Sequence, residues 1–176
     1  MKTTIYLDVD GVLTAETKRT PAYKISGWEY WETKTVQRWQ ILFSPDMVAA
    51  LNELAAHPDI TFKWLTTRQD SAAQVLSPAI RIKGEDWDVF RSDQQVWRGL
   101  DWWKLRAIQG DAEPSEGHRF VWIDDDISAE VEALKWAAGR DDVLTISPSS
   151  VRGLTRGDIE RIRQFAGVHE LVGASK

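Results

Sequence analysis

The chain has 176 residues, 22 Lys+Arg against 27 Asp+Glu, and an apolar fraction of 43%. That length suits one domain with a single sizeable core, and a charged fraction of 28% with a net charge of −5 describes an ordinary globular chain, not a disordered one or a general nucleic-acid coat. The absence of cysteine excludes a disulfide framework, a thiolate zinc site, an iron–sulfur cluster and a cysteine nucleophile.

Met1-Lys2-Thr3-Thr4 leads straight into a strand pattern with no apolar leader segment, and no apolar run approaches the roughly 18 residues that span a bilayer. A cytoplasmic protein without membrane attachment is expected. Thr3 to Asp8 is a β-branched and apolar run that ends abruptly in acid and glycine, which reads as a first strand. From about Thr14 to Phe43 the chain lacks helical periodicity and carries Pro21, Gly27 and many Thr and aromatic residues, so a loop with a β-hairpin is expected. Ser44-Pro45-Asp46 is a strong helix start, with Met47, Leu51 and Leu54 as the buried stripe and His57-Pro58 as the end.

Ile60 to Thr66 reads as the second strand, followed by a short helix around Ser71–Leu76 before Pro78. Residues 79–99 are ambiguous, with a third strand possible near Trp87–Phe90. Asp101 can cap a helix to about Gln109 that Gly110 stops. Arg119 to Ile123 is another buried strand ending in acid. Ala129–Ala138 reads as helix closing at Gly139, and Val143–Ile146 as the last strand before Ser147-Pro148. Thr155-x-x-Asp158 resembles a capping box ahead of a final helix to about Ala166. Strands alternating with helices imply βαβ units and a three-layer α/β architecture, a Rossmann-like, mostly parallel sheet. No repeat or linker divides the chain, so one domain over 1–176 is expected.

Three strand ends carry the polar chemistry: Asp8-Val9-Asp10-Gly11, Thr66-Thr67-Arg68 and Asp124-Asp125-Asp126. The carboxyl edge of a parallel sheet is where ligands bind in such folds. Acids and threonines cap loops everywhere, so no single segment is decisive; their joint occurrence is. Two unit charges about 4 Å apart repel by roughly 4 kcal/mol at an effective dielectric near 20. Gathering Asp8, Asp10, Asp124 and Asp125 at one edge therefore calls for a cation. Oxygen ligands without His or Cys suit a hard ion, and Mg²⁺ is the common choice beside a phosphate.

In this order and on these elements, the segments resemble the four motifs of the haloacid dehalogenase-like (HAD) phosphohydrolases. Asp8-Val-Asp-Gly-Val-Leu is similar to the first motif, Trp64-Leu-Thr66 to the second, Lys104 to the third and Ile123-Asp124-Asp125 to the fourth. The resemblance implies Asp8 as the nucleophile that becomes an aspartyl-phosphate and Asp10 as the acid and base two residues on. It implies Mg²⁺ held by Asp8, the Asp10 carbonyl and Asp124, with Asp125 acting through water. Thr66 would donate to a phosphoryl oxygen, and Lys104 would offset the charge. Thr67 could replace Thr66 if the strand runs one residue longer, and the Asp124–Asp126 triplet leaves its register open by one. Lys104 has independent support, since a lysine in a helix's first turn opposes the macrodipole and breaches of a local rule mark functional sites. Lys83 is a weaker substitute.

Between the first motif and Ser44, at about 14–43, these phosphohydrolases place a cap or flap, and this segment is long enough only for a β-hairpin flap. Five Lys/Arg against three Glu leave it at +2 and the rest of the chain at −7. Its Tyr23, Trp28, Tyr30, Trp31, Trp39 and Phe43 either glue a hairpin to the body or stack on a nucleobase, an interaction worth roughly 1–3 kcal/mol per base. The flap, Trp64-Leu-Thr-Thr and Trp102-Trp-Lys together also resemble a small-cap subgroup associated with RNA-repair proteins. The ten tryptophans exceed the needs of one core, so some are expected on a surface or in a pocket. A phosphomonoesterase is thus expected, its substrate a phosphorylated small molecule or a nucleic-acid end, with no stable protein partner. The alternative is a non-catalytic metal- or phosphate-binding module on the same fold. A receiver-type signalling domain has the wrong motif order, since its acidic pair precedes the phosphorylated Asp.

Overall fold

In the computed structural model, which describes residues 1–16, 25–92 and 102–168, the chain begins with β1 (Lys2–Leu7) and an antiparallel hairpin of β2 (Glu32–Val36) and β3 (Trp39–Phe43). There follow α1 (Pro45–Ala55), β4 (Ile60–Trp64), α2 (Ser77–Ile80), β5 (Asp88–Val89) and α3 (Trp103–Asp111). The chain continues with β6 (His118–Ile123), α4 (Val131–Ala138), β7 (Val143–Ile146) and α5 (Arg156–Ala166). Five strands form one parallel sheet in the order β5-β4-β1-β6-β7, apart from the hairpin. Helices cover both faces, which is the three-layer α/β arrangement expected.

Strand alternation sorts the core. Ile5, Leu7, Phe62, Trp64, Val121 and Ile123 pack on the face covered by α1, α2 and α5, while Tyr6, Phe120 and Trp122 pack under α3 and α4. The first β–α crossover turns one way from β1 to β4 and a later one returns on its other side to β6. The central strand β1 therefore opens onto the switch point between them, where the crevice of such a sheet forms.

Local chemistry explains the helix ends. Ser44 accepts from the Met47 N–H and Pro45 occupies the first turn, so α1 starts where expected, with Met47, Leu51 and Leu54 buried. The Thr155–Asp158 capping box is reciprocal, the Thr155 hydroxyl accepting the Asp158 N–H and the Asp158 carboxylate the Thr155 N–H.

Four boundaries differ from the expectation. β4 stops at Trp64, because Thr66 turns the chain by accepting the Arg68 N–H on its hydroxyl and the Gln69 N–H on its carbonyl. Pro78 does not end its helix: a π-helical stretch, Ala72–Leu76, runs into α2, and Pro78 sits in the first turn of α2, where a missing N–H costs nothing. Gly110 lies inside α3, which runs on to Asp111. The helix expected over Ala129–Ala138 begins two residues later, at Val131, because Ala129 closes a 3₁₀ turn, Asp125–Ala129, and Glu130 is extended.

Asp101, the expected cap of α3, lies outside the described residues, as do Lys18, Arg19, Pro21, Tyr23, Lys24, Trp97 and His169; Trp102 holds the N-cap position without a side-chain bond. Among the described residues no helix is long and apolar enough to cross a membrane. Of the described tryptophans, 28, 64, 102, 103 and 122 are buried, 31, 87 and 136 are half-buried, and Trp39 alone is exposed.

Candidate active site

Register brings the acids together. Leu7 pairs with Trp64 on one side and Ile123 on the other, so Asp8, Leu65 and Asp124 stand abreast just past the strand ends. Their backbones continue the ladder, Asp8 N–H to the Ile123 carbonyl and Asp124 N–H to that of Ile146. Period-two alternation then puts Asp8 on the face of Tyr6 and Asp124 on that of Trp122, the face covered by α3.

Lys104, in the first turn of α3, meets them there. Its ammonium donates to Asp8 Oδ2 and to Asp124 Oδ2, both at 2.7 Å. Asp8 is 5% exposed, Lys104 3% and Asp124 0%. Asp8 Oδ1 accepts the Val9 N–H at 2.7 Å and Asp124 Oδ1 the Asp126 N–H at 3.0 Å, so all four carboxylate oxygens are engaged. Trp102 lies behind the ammonium, 6.0 Å from ring centroid to nitrogen, and stacks on Trp122 at 5.2 Å. The lysine that opposes the helix dipole is thus held by two carboxylates. Lys83, the weaker substitute, is exposed with its N–H on Asn52 Oδ1.

Burial and the neighbouring Asp8 push the Asp124 carboxyl up to about 8 despite Lys104. Asp125, half-buried, is pushed up to about 7 by burial and by the charges of Asp8 and Asp126. Burial would lower the Lys104 ammonium, but the two carboxylates outweigh it and hold its pKa above the usual lysine value. Glu16 is raised as well, by burial and then by Asp10, Asp126 and Asp8. Among the described residues, Lys104 is the cation bonded to both Asp8 and Asp124.

Asp8, Asp124 and Asp125 each offer an oxygen, and these oxygens lie within 4.8 Å of one another. A hard divalent ion fits this donor set, because it is all oxygen and three carboxylates converge on it. Gly11 belongs to the same device. Its φ is +73°, and a Cβ there would come within 2.3 Å of the Asp125 carboxylate, so backbone conformation and space both demand glycine.

Asp10 stands apart from the three. Its carboxylate, half-exposed, takes a two-pronged bond from Arg68, Nε to Oδ2 at 2.9 Å and Nη2 to Oδ1 at 2.6 Å. Arg68 carries no expectation from the sequence beyond its place after Thr66-Thr67; its one signal is a cation two residues beyond the second motif's threonine. Thr66 is wholly buried and Thr67 half-buried. Within the acidic triplet, Asp124 and Asp125 bring their carboxylates to the group, while Asp126 supplies its N–H to Asp124.

The model of the family described as HAD domain in Swiss Army Knife RNA repair proteins matches residues 4–159. No curated protein and no solved structure matches the chain.

Proposed function

The chain belongs to the family of HAD domains in Swiss Army Knife RNA repair proteins, a family of phosphohydrolase type, and on that premise we propose that it is a Mg²⁺-dependent phosphomonoesterase working through Asp8 on phosphorylated nucleotides or oligonucleotide ends. The observation that carries this reading is Lys104 bridging Asp8 and Asp124 in a buried cluster that Asp125 completes. In this reading 1–176 is one HAD-like domain and the hairpin of the 14–43 segment is its flap.

Asp8, Asp124 and Asp125, with the Asp10 carbonyl, would hold Mg²⁺, which when bound supplies positive charge to the transferring phosphoryl group. A carboxylate oxygen of Asp8 attacks phosphorus and the bond to the leaving oxygen breaks, while Asp10, which takes a proton from solvent once Arg68 has turned to the phosphoryl group, delivers that proton to the leaving oxygen. Asp10, now a carboxylate, takes a proton from water as the water oxygen attacks phosphorus and frees Asp8. Lys104, bonded to Asp8, faces the charge that develops. Thr66 donates to a phosphoryl oxygen. Arg68 is a fork that fits a phosphate as well as a carboxylate, so an arriving phosphoryl group competes for it and releases Asp10 to its proton-transfer role.

The test is hydrolysis of a generic aryl phosphate with and without chelator, using Asp8→Asn as the control. Activity should need the divalent ion and fall by about 10⁴-fold or more in the variant. Hydrolysis that survives in Asp8→Asn removes Asp8 from the role. An aluminium fluoride adduct trapped at Asp8 would exclude the non-catalytic binding module.

A further inference from the structure

A recess of about 490 Å³ lies between the hairpin and the end of α2, and none of Asp8, Asp10, Asp124 and Asp125 lines it. Its floor is Phe43, 2% exposed, with Pro45 and Ile80 beside it, and its rim carries Tyr30, Glu32, Lys34 and Arg81. The Tyr30 side chain is 55% exposed. The Lys34 ammonium donates across the recess to the Ala79 carbonyl at 2.5 Å, and among the described residues neither it nor the Arg81 guanidinium pairs with a carboxylate.

Arg81 occupies a left-handed backbone position, φ +63°, where a helix usually ends in glycine. The Asn52 side chain fixes that position, donating to the Arg81 carbonyl at 2.9 Å and accepting the Lys83 N–H at 2.8 Å. A bulky cation is held at a strained point of the rim, the kind of outlier that accompanies a binding role.

The lining asks for a specific chemistry. A free phosphate or a sugar phosphate would leave the aromatic and apolar walls unused. A nucleotide uses them all: the base stacks on Tyr30 over the Phe43 floor, an exocyclic amine donates to Glu32, and a backbone phosphate meets Lys34 and Arg81. The recess also lies within one short strand of the acidic edge. Asp10 is bridged to Thr14, Ala15 N–H bonds the Leu42 carbonyl at 2.8 Å, and Phe43 is next in sequence. By backbone dimensions that path spans at most about 18 Å, the reach of a few nucleotides.

We infer that this recess is a nucleotide subsite that holds one residue of a single-stranded RNA whose terminal phosphate reaches the acidic edge. The inference rests on the phosphomonoesterase reading above for the fate of that phosphate, but not for binding of the strand. The RNA, not a free sugar phosphate, is then the substrate class.

The experiment compares kcat/KM on short 3′- and 5′-phosphorylated oligoribonucleotides with kcat/KM on an aryl phosphate, for the wild type, Tyr30→Ala and Arg81→Gly. Arg81→Gly removes the guanidinium in a conformation glycine favours, so the fold is kept. The oligonucleotide-to-aryl ratio should fall about 10-fold in either variant, mainly through KM. A ratio within about two-fold of the wild type overturns the subsite. In a second arm, the unphosphorylated oligoribonucleotide is titrated by fluorescence onto the same three proteins. No binding by the wild type, or equal binding by all three, sinks the subsite while leaving aryl phosphate hydrolysis intact. Binding that the variants weaken, in a protein that hydrolyses neither substrate, upholds the subsite and removes the phosphatase reading alone.

Discussion

The acidic edge and the hairpin are built on opposite plans. At the edge, Asp8, Asp124 and Lys104 are buried and all four carboxylate oxygens are bonded, so the charges have one arrangement. On the hairpin side, Tyr30 and Trp39 are more than half exposed, and the Lys34 ammonium is bonded to a single carbonyl. The edge is suited to stabilising a charge distribution that develops in place, because its dipoles need no reorganisation. The hairpin side can instead adapt to a partner, and there selectivity is cheap to change without touching the chemistry.

The sharpest way to break the contrast is to strip the edge of its cation. Lys104→Met leaves two buried carboxylates without their shared partner, which costs about 3–5 kcal/mol when one member of a buried pair is removed. For a chain of this size the melting temperature should fall by about 10 °C. Turnover of an aryl phosphate should fall by about 10²–10³-fold. An unchanged melting temperature would mean that the edge is not preorganised by Lys104.

Arg68 comes next, because its guanidinium holds the half-exposed carboxylate of Asp10, two residues beyond Asp8. Arg68→Lys keeps the charge but loses the two-pronged geometry, so kcat should drop by about 10–100-fold with little change in stability. A lysine that restores full turnover would reduce Arg68 to a point charge.

These two residues also mark how far the fold and the site could be read from the amino acids. The strands, the α1 cap and the capping box of α5 are local signals, and each stands within two residues of its expected place. The grouping of Asp8, Lys104 and Asp124 was legible because each follows a strand or opens a helix in an ordered series of motifs. The Arg68–Asp10 pair was not, since nothing along the chain says that residues 58 positions apart meet. Pro78 misled for a different reason: as a helix breaker it marks a boundary, but here the boundary lies between a π-helical stretch and an α-turn, not at the end of the helix. Nor does composition reveal which aromatic residues of the insert are buried, because cross-strand glue and stacking platforms use the same side chains.

Titration gives a third and smaller handle on the edge. Asp124 and Asp125 have folded-state pKa values raised to about 8 and about 7, above those of the unfolded chain, so between roughly pH 4 and 8 the folded protein holds protons that the unfolded chain has released. Stability from these groups is complete below the unfolded pKa and is lost as pH rises through the folded one. With chelator present, the melting temperature should therefore drop from pH 5 to pH 8.5, and Mg²⁺ should raise it more at the upper pH than at the lower, because the ion binds the deprotonated carboxyls. A melting temperature insensitive to Mg²⁺ at pH 8.5 would argue against a metal at these three acids.

The smallest effects test where the two plans meet. Leu154 donates its N–H to the Val12 carbonyl in the loop after Asp8, and its own carbonyl accepts the Trp28 indole N–H at 2.7 Å, with Arg156 over the ring at 4.7 Å. Trp28, 4% exposed, thus ties the foot of the insert to the acidic loop, whereas Trp39, 54% exposed, sits at the start of the hairpin's second strand under Arg38. Trp28→Phe keeps the ring but unpairs a buried carbonyl, at a cost of about 1–2 kcal/mol and so roughly 2–8 °C in melting temperature. Trp39→Ser should stay within about 0.5 kcal/mol of the wild type. If Trp39→Ser were the more damaging of the two, the hairpin would be held by its exposed face, and the division between a fixed edge and an adaptable insert would fail.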